Sequence, residues 1–140
     1  MWLLHGTTRF RGEAIIATGP DIGYIEPGGE GVIAENFSAC VEGWGSALGR
    51  AEEYARNKNR GFPDEGGGVV VAIDVPDKIV RMAAREHLAL YAGIFPVDLN
   101  ATLMGLLASC GGVIQFDPGP ALDQLLGRWG KLPKEIRGVP

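Results

Sequence analysis

Glycine occupies 22 of the 140 positions, and this narrows the folds open to the chain more than any other feature. So many residues without a Cβ imply tight turns and close backbone approaches. They favour short strands and irregular loops over a helical bundle. Against that background Val69–Val75 stands out as a β-branched, apolar run and reads as a central strand.

The remaining elements follow from pattern. Met1–Leu4 reads as a short strand ending in a His5-Gly6 turn, and Arg11–Thr18 as a helix stopped by Gly19-Pro20. Val32–Ala34 reads as a strand, with Phe37–Ala39 a second short strand or its continuation. Over Ser46–Lys58, Ala47, Leu48, Ala51, Tyr54 and Ala55 recur at three and four and predict an amphipathic helix. Pro76–Ala84 reads as a brief connection, Glu86–Ala92 as a strand and Pro96–Leu107 as a helix. Gly112–Phe116 is a candidate strand and Ala121–Trp129 a last helix, within a C-terminal extension, 111–140, packed on the body. No internal repeat or long linker appears, so one domain is expected, of α+β class because strands and helices do not alternate strictly.

Apolar residues make up 46% and charged ones 21%, with a net charge of −4. That balance excludes wholesale disorder, and the negative sign means that a nucleic-acid partner would need a local basic patch. Arg50, Arg56, Lys58 and Arg60 form one candidate, although a solvated helix face accounts for them as well. Cys40 and Cys110 lack CxxC spacing, so they read as buried free thiols in a reducing compartment rather than a disulfide or zinc pair. Two histidines and no HxxxH or clustered carboxylates offer no metal site. No stretch is long enough to cross a bilayer, and the start lacks the basic and apolar parts of a cleaved signal. A soluble, unexported chain is the expectation, with no membrane partner.

Few residues carry chemistry. His5 alone would pass for a structural histidine, but Gly6 and Thr7 beside it offer a bare amide and a hydroxyl to the same small ligand. Glu86 would be costly to bury at the start of a strand unless paired or at work; a salt bridge to Arg81 or Arg85 is the plain alternative. Tyr54 lies on the apolar stripe of its helix, suited to core packing or to stacking on a flat ring. The glycine runs Gly28–Gly31 and Gly66–Gly68 lack the P-loop and dinucleotide fingerprints and read as loops.

Taken in order, three stretches carry a resemblance. They are His5-Gly6-Thr7-Thr8 with Ile15–Gly19, then Gly29–Ala34 with Ala51–Ala55, then Glu86–Tyr91 running into Ile94–Leu99. The chain resembles the ADP-ribosyltransferase superfamily, in its diphtheria-toxin-like and poly(ADP-ribose) polymerase branch with a His…Tyr…Glu triad, over roughly residues 1–107. The resemblance implies two facing, mostly antiparallel sheets with short flanking helices and a split cleft for NAD as co-substrate. It implies that His5 bonds a ribose hydroxyl, that the Gly6 backbone holds the carboxamide, and that Thr7 lies beside them. Tyr54 would stack on nicotinamide. Glu86 would bind the 2′-hydroxyl and stabilise the charge that builds as the glycosidic bond breaks. The family's middle-strand Tyr has no single counterpart: Ile33 or Phe37 stands in its place, with Ser38 beside Phe37, and Tyr24 could enter from the preceding loop.

The activity implied is mono-ADP-ribosyl transfer to a macromolecular acceptor, with protein favoured over nucleic acid by the net charge. By analogy the chain would be a bacterial or phage toxin or effector, acting in the cytoplasm or delivered into that of a target cell, with an antitoxin or immunity protein as partner. NAD glycohydrolase and NAD-dependent RNA 2′-phosphotransferase activity are alternatives. The latter would need arginines such as Arg9 and Arg11 at a phosphate site. A different class, an inert binding domain of the same fold, stands beside them.

Overall fold

The structure, a computed structural model, describes residues 1–21, 23, 31–35, 46–90, 103–109 and 112–140. Strand β1 (Trp2–Thr8) lies at the centre of a five-stranded sheet. It pairs with β2 (Val32–Ala34) on one side and β3 (Gly68–Asp74) on the other, both antiparallel. β4 (Val113–Ile114) lies beyond β2, and β5 (Lys134–Gly138) beyond β3. The sheet thus grows outward from β1 in chain order, one strand to each side in turn.

Among the described residues five α-helices cover the two faces. α1 (Arg9–Thr18) follows β1 directly, because Thr8 turns its hydroxyl to the Arg11 N–H and caps the helix. α2 (Ala47–Gly61) is capped in the same way by Ser46. α3 (Asp77–Leu90), α4 (Leu103–Ser109) and α5 (Pro120–Gly127) follow, the last leading into a 3-10 turn at Trp129–Lys131. One face of the sheet presents Leu3, Val71 and Ile73 to Ile15 and Ile16 of α1, Ile79, Val80 and Ala83 of α3, Leu122 and Leu125 of α5, and Trp129. The other presents Leu4, Ile33, Val70 and Ala72 to Ala47 and Ala51 of α2. Each fully buried Leu or Val contributes about 1.5–3 kcal/mol.

Several expectations are met. The Val69–Val75 run is β3, flanked on both sides, and α1, α2, β2 and β4 lie close to where their patterns put them. Others are corrected. Glu86–Ala92 is not a strand: Glu86–Leu90 are the last residues of α3, and 91–92 lie outside the described residues. Leu88 and Leu90 alternate within that short window. Over the longer stretch, however, the buried residues are Ile79, Val80, Ala83, Ala84 and Leu88, a helical period that begins right after Pro76. The His5-Gly6 turn is likewise strand, since β1 continues to Thr8 through seven successive pairs with β3.

One sheet, not two, is seen among the described residues, and helices pack on both of its faces. Residues 113–138 are more than an extension, because they supply both edge strands. The helix expected at Pro96–Leu107 appears in part as α4. Its first turns, together with Tyr24, Phe37, Ser38, Cys40 and Cys110, lie outside the described residues. No described helix is long and apolar enough to cross a membrane.

Candidate functional site

The site begins where the β1–β2 ladder stops. Its register pairs are Leu3↔Ala34 and Leu4↔Ile33, and the Glu35 N–H donates to the Trp2 carbonyl at 2.9 Å. Backbone groups alternate along a strand, so the even-numbered residues of β1 turn theirs toward β2 and the odd-numbered ones toward β3. Continuing the register would set Gly6 opposite Gly31. Among the described residues, however, no strand pairs with β1 on that side beyond Leu4. Among the described residues, the N–H and C=O of Gly6 therefore face a notch in the sheet edge.

His5 closes one wall of this notch. Its Nδ1 lies 2.8 Å from the Gly31 carbonyl oxygen, which takes an imidazole where a ladder bond would otherwise fall. A carbonyl only accepts, so Nδ1 carries the proton, and in the neutral ring Nε2 is then the acceptor. Gly31 has φ +70, and a Cβ on it would come to 2.5 Å from the Ile114 carbonyl oxygen and 3.5 Å from Cα and Cδ of Gln115. Only glycine fits this position. Gln115, half-buried, is thereby laid against the peptide that orients His5. Gly31 stood in the sequence only as part of the Gly29–Ala34 stretch and Gln115 within a candidate strand, because their role depends on strand register.

α2 forms the wall on the other face. Gly6 lies under its backbone: a Cβ there would collide with the Ala51 carbonyl and reach 2.8 Å from the Ala55 nitrogen. Helix packing, not ligand approach, is thus what requires glycine at this position, and a ligand can reach Gly6 only along the strand edge. Asn59 and Arg56 share a surface hollow with Val139, just past β5. Arg50 is nine residues before Asn59, two and a half turns of helix, so it lies on the flank of α2 opposite β5. Tyr54, one turn after Arg50, shares that flank and is half-buried. His5 pairs with Val71, on the face covered by α1 and α3. His5 and the helix that carries Tyr54 therefore lie on opposite faces of the sheet at Gly6.

Two other expected residues are placed elsewhere. Thr7 is 2% exposed and pairs with Val69. A Cβ on Gly12 of α1 would lie 3.5 Å from its methyl, so Thr7 is packed beneath α1 rather than presented to a ligand. Glu86 receives the Ala121 N–H, at 3.2 and 3.3 Å from its two carboxylate oxygens. Gly119, the N-cap of α5, has no side chain to cap with, and Glu86 does so from α3. Beside it His87 Nδ1 meets Asp117 Oδ2 at 2.7 Å, part-buried, tying the approach to α5 to the same helix.

The described residues include no group of His, Cys, Asp and Glu able to hold a metal ion. What they bring together is an imidazole bonded through Nδ1 to Gly31 and the Gly6 backbone beneath α2, the helix that carries Tyr54 and Arg50. That combination suits hydrogen bonding to hydroxyl and carboxamide groups. Comparisons with protein-family models, with curated proteins and with solved structures find no match to this chain.

Proposed function

We propose that this chain is an NAD-dependent mono-ADP-ribosyltransferase whose co-substrate enters the notch beside β1. The observation that carries this reading is the His5–Gly31 bond at the end of the β1–β2 ladder. With Nδ1 donating there, Nε2 of the neutral ring would be the nitrogen that accepts from a ribose hydroxyl, next to a Gly6 backbone whose donor and acceptor would hold a carboxamide. Tyr54, from the flank of α2, supplies the aromatic ring for nicotinamide.

Nicotinamide leaves with the electron pair of the broken C–N bond, and the oxocarbenium-like sugar left behind would be stabilised by the second lone pairs of the Gly6 and Gly31 carbonyls. In this reading Glu86 is the structural cap of α5 and takes no part in the reaction. The RNA 2′-phosphotransferase alternative is less well served. Arg11, which it would use for phosphate, bonds Glu65 at 2.9 Å and lies 4.0 Å from the Phe62 ring centre. The acceptor is a macromolecule, with protein favoured, and a toxin or effector role in a cytoplasm, countered by an antitoxin or immunity protein, goes with this reading by analogy.

The test is incubation with NAD labelled in its adenosine half and a cell lysate. Expected are nicotinamide release and protease-sensitive label, both lost in His5→Asn, whose amide can still reach Gly31 but lacks the Nε2 acceptor. Nuclease-sensitive label would move the acceptor to nucleic acid, and release without label would make the protein a glycohydrolase. No release from the wild-type protein would overturn the proposal.

A further inference from the structure

The cations of α2 do not make the basic patch that their spacing suggests. Arg50 is buried, Arg56 is drawn to Glu52 at 3.5 Å, and Lys58 lies over the Phe62 ring, 5.8 Å from its centre. Lys78, Arg81 and Arg85 of α3 are placed differently. They recur at three and four, so they share one face, and all three are exposed. With half-buried Met82 and Glu86 they line a surface hollow of about 480 Å³. None of the three has an ion-pair partner among the described residues. The acids at either end of the stripe are engaged elsewhere: Asp77 meets the Met1 amine at 3.2 Å, and Glu86 caps α5.

Nothing in the helix itself asks for this arrangement. Lys78 stands in the first turn, where the macrodipole disfavours a cation, and each successive pair sets like charges side by side. In a chain of net charge −4, the stripe is a local field opposite in sign to that of the whole.

We infer that this face of α3 docks on the phosphate backbone of duplex DNA, an assignment that does not depend on the function proposed above. The three cations span about 10 Å of helix, and guanidinium forks match phosphate oxygens in pairs. Among the described lining residues Met82 is the one apolar side chain. The face therefore lacks the aromatic and aliphatic anchors around which protein interfaces are built. It also lacks a ring on which a splayed base could stack, as single strands require. A duplex keeps its own bases stacked and can be held through backbone contacts. Duplex RNA is gripped partly through its 2′-hydroxyls, and the one carboxylate here, Glu86, already serves Ala121.

The experiment titrates the full chain against a short fluorescent duplex DNA of mixed sequence over a series of salt concentrations. It compares the wild-type protein with Lys78→Gln, Arg81→Gln and Arg85→Gln, and with Arg60→Gln on α2, across the sheet. Expected for wild type is a logarithmic salt slope of about −2.7, the value for three neutralised phosphates, which each α3 variant should bring about 0.9 nearer zero. Arg60→Gln should leave it unchanged. Melting temperatures of the α3 variants should stay at or above that of wild type, because exposed like charges are removed. No binding of the duplex at low salt, or a slope that the α3 variants leave unchanged, would overturn the assignment. So would an equal loss in Arg60→Gln, which would show that the attraction is not local to α3. Tighter binding of the single strand would reject the duplex, and equal affinity for a glutamate-rich peptide of the same charge would replace DNA by an acidic protein.

Discussion

Gly6 of the central strand and Ala51 of α2 meet backbone to backbone, with no room between them for a single methyl group. Gly68 on the neighbouring strand is almost as close to Ala55, where a Cβ would come to 3.0 Å from the carbonyl oxygen. Alanines on the helix and glycines on the sheet therefore set the height of α2 above β1, and with it the height of Tyr54 and Arg50. Gly6→Ala would have to push the helix away, because backbone atoms cannot change rotamer. The expected loss is about 3 kcal/mol, the upper end for an overpacked core, read from denaturant unfolding at unchanged m-value.

Glu86 separates capping from catalysis. Glu86→Gln keeps an oxygen for the Ala121 N–H, so its melting temperature and its nicotinamide release should both stay near wild type. Glu86→Ala should lose about 1 kcal/mol of stability, as for a deleted N-cap, again with NAD cleavage retained. A fall in release of about a hundredfold or more in Glu86→Gln, the scale of a lost electrostatic stabiliser, with an unchanged melting temperature, would return the carboxylate to the reaction.

Trp129 completes a hydrogen bond that α1 cannot make for itself. The Ile16 carbonyl would look four residues on for its donor, but that residue is Pro20, which has no N–H. The indole Nε1 of Trp129 donates to it instead at 2.9 Å. Trp129→Phe keeps most of the packing and leaves that carbonyl unpaired, at an expected cost of about 1–3 kcal/mol. Hydrogen exchange should report it as faster opening at the end of α1.

Acid should weaken the clamp between β1, α1 and the loop ahead of β3. The Arg11 guanidinium and, after it, the Thr8 hydroxyl hold the Glu65 carboxyl below its ordinary value of 4.5. A folded-state value depressed in this way contributes stability above the unfolded value, and the contribution is lost as pH falls through the depressed one. Stability measured downward from pH 5 should therefore fall less steeply in Glu65→Gln than in wild type. Identical slopes would show that the clamp does not titrate.

Elements that declare themselves locally were legible in the sequence. The β-branched run of β3 and the Ser46-capped stripe of α2 need no partner to be recognised. β5 was missed because Lys134-Glu135-Ile136-Arg137 reads as a charged tail, yet charge is common on an edge strand, where it discourages pairing with other chains. α3 was misread because its period is visible only over ten residues, and the last five taken alone alternate. At the site, His5, Gly6 and Tyr54 could be named from residue type and spacing. Gly31, Gln115 and the orientation of Arg50 follow from register and helix rotation, which emerge only when distant segments pair. Glu86 failed as a strand residue for the same reason that α3 did.

The order in which the sheet is assembled has a consequence for how the chain emerges from the ribosome. β1, β2 and β3 are complete by residue 74, but the strands that cover their outer edges come from 113–138. Until that stretch is made, β2 and β3 each present bare N–H and C=O groups to whatever strand is near. A nascent chain stalled or cut before residue 113 thus exposes two strand edges to aggregation that β4 and β5 later cover. The late strand β4 also carries Ile114, against which Gly31 is seated. The carbonyl that aims His5 is therefore fixed only once synthesis has gone past it, so the notch stays unformed on the ribosome until the sheet around it is protected.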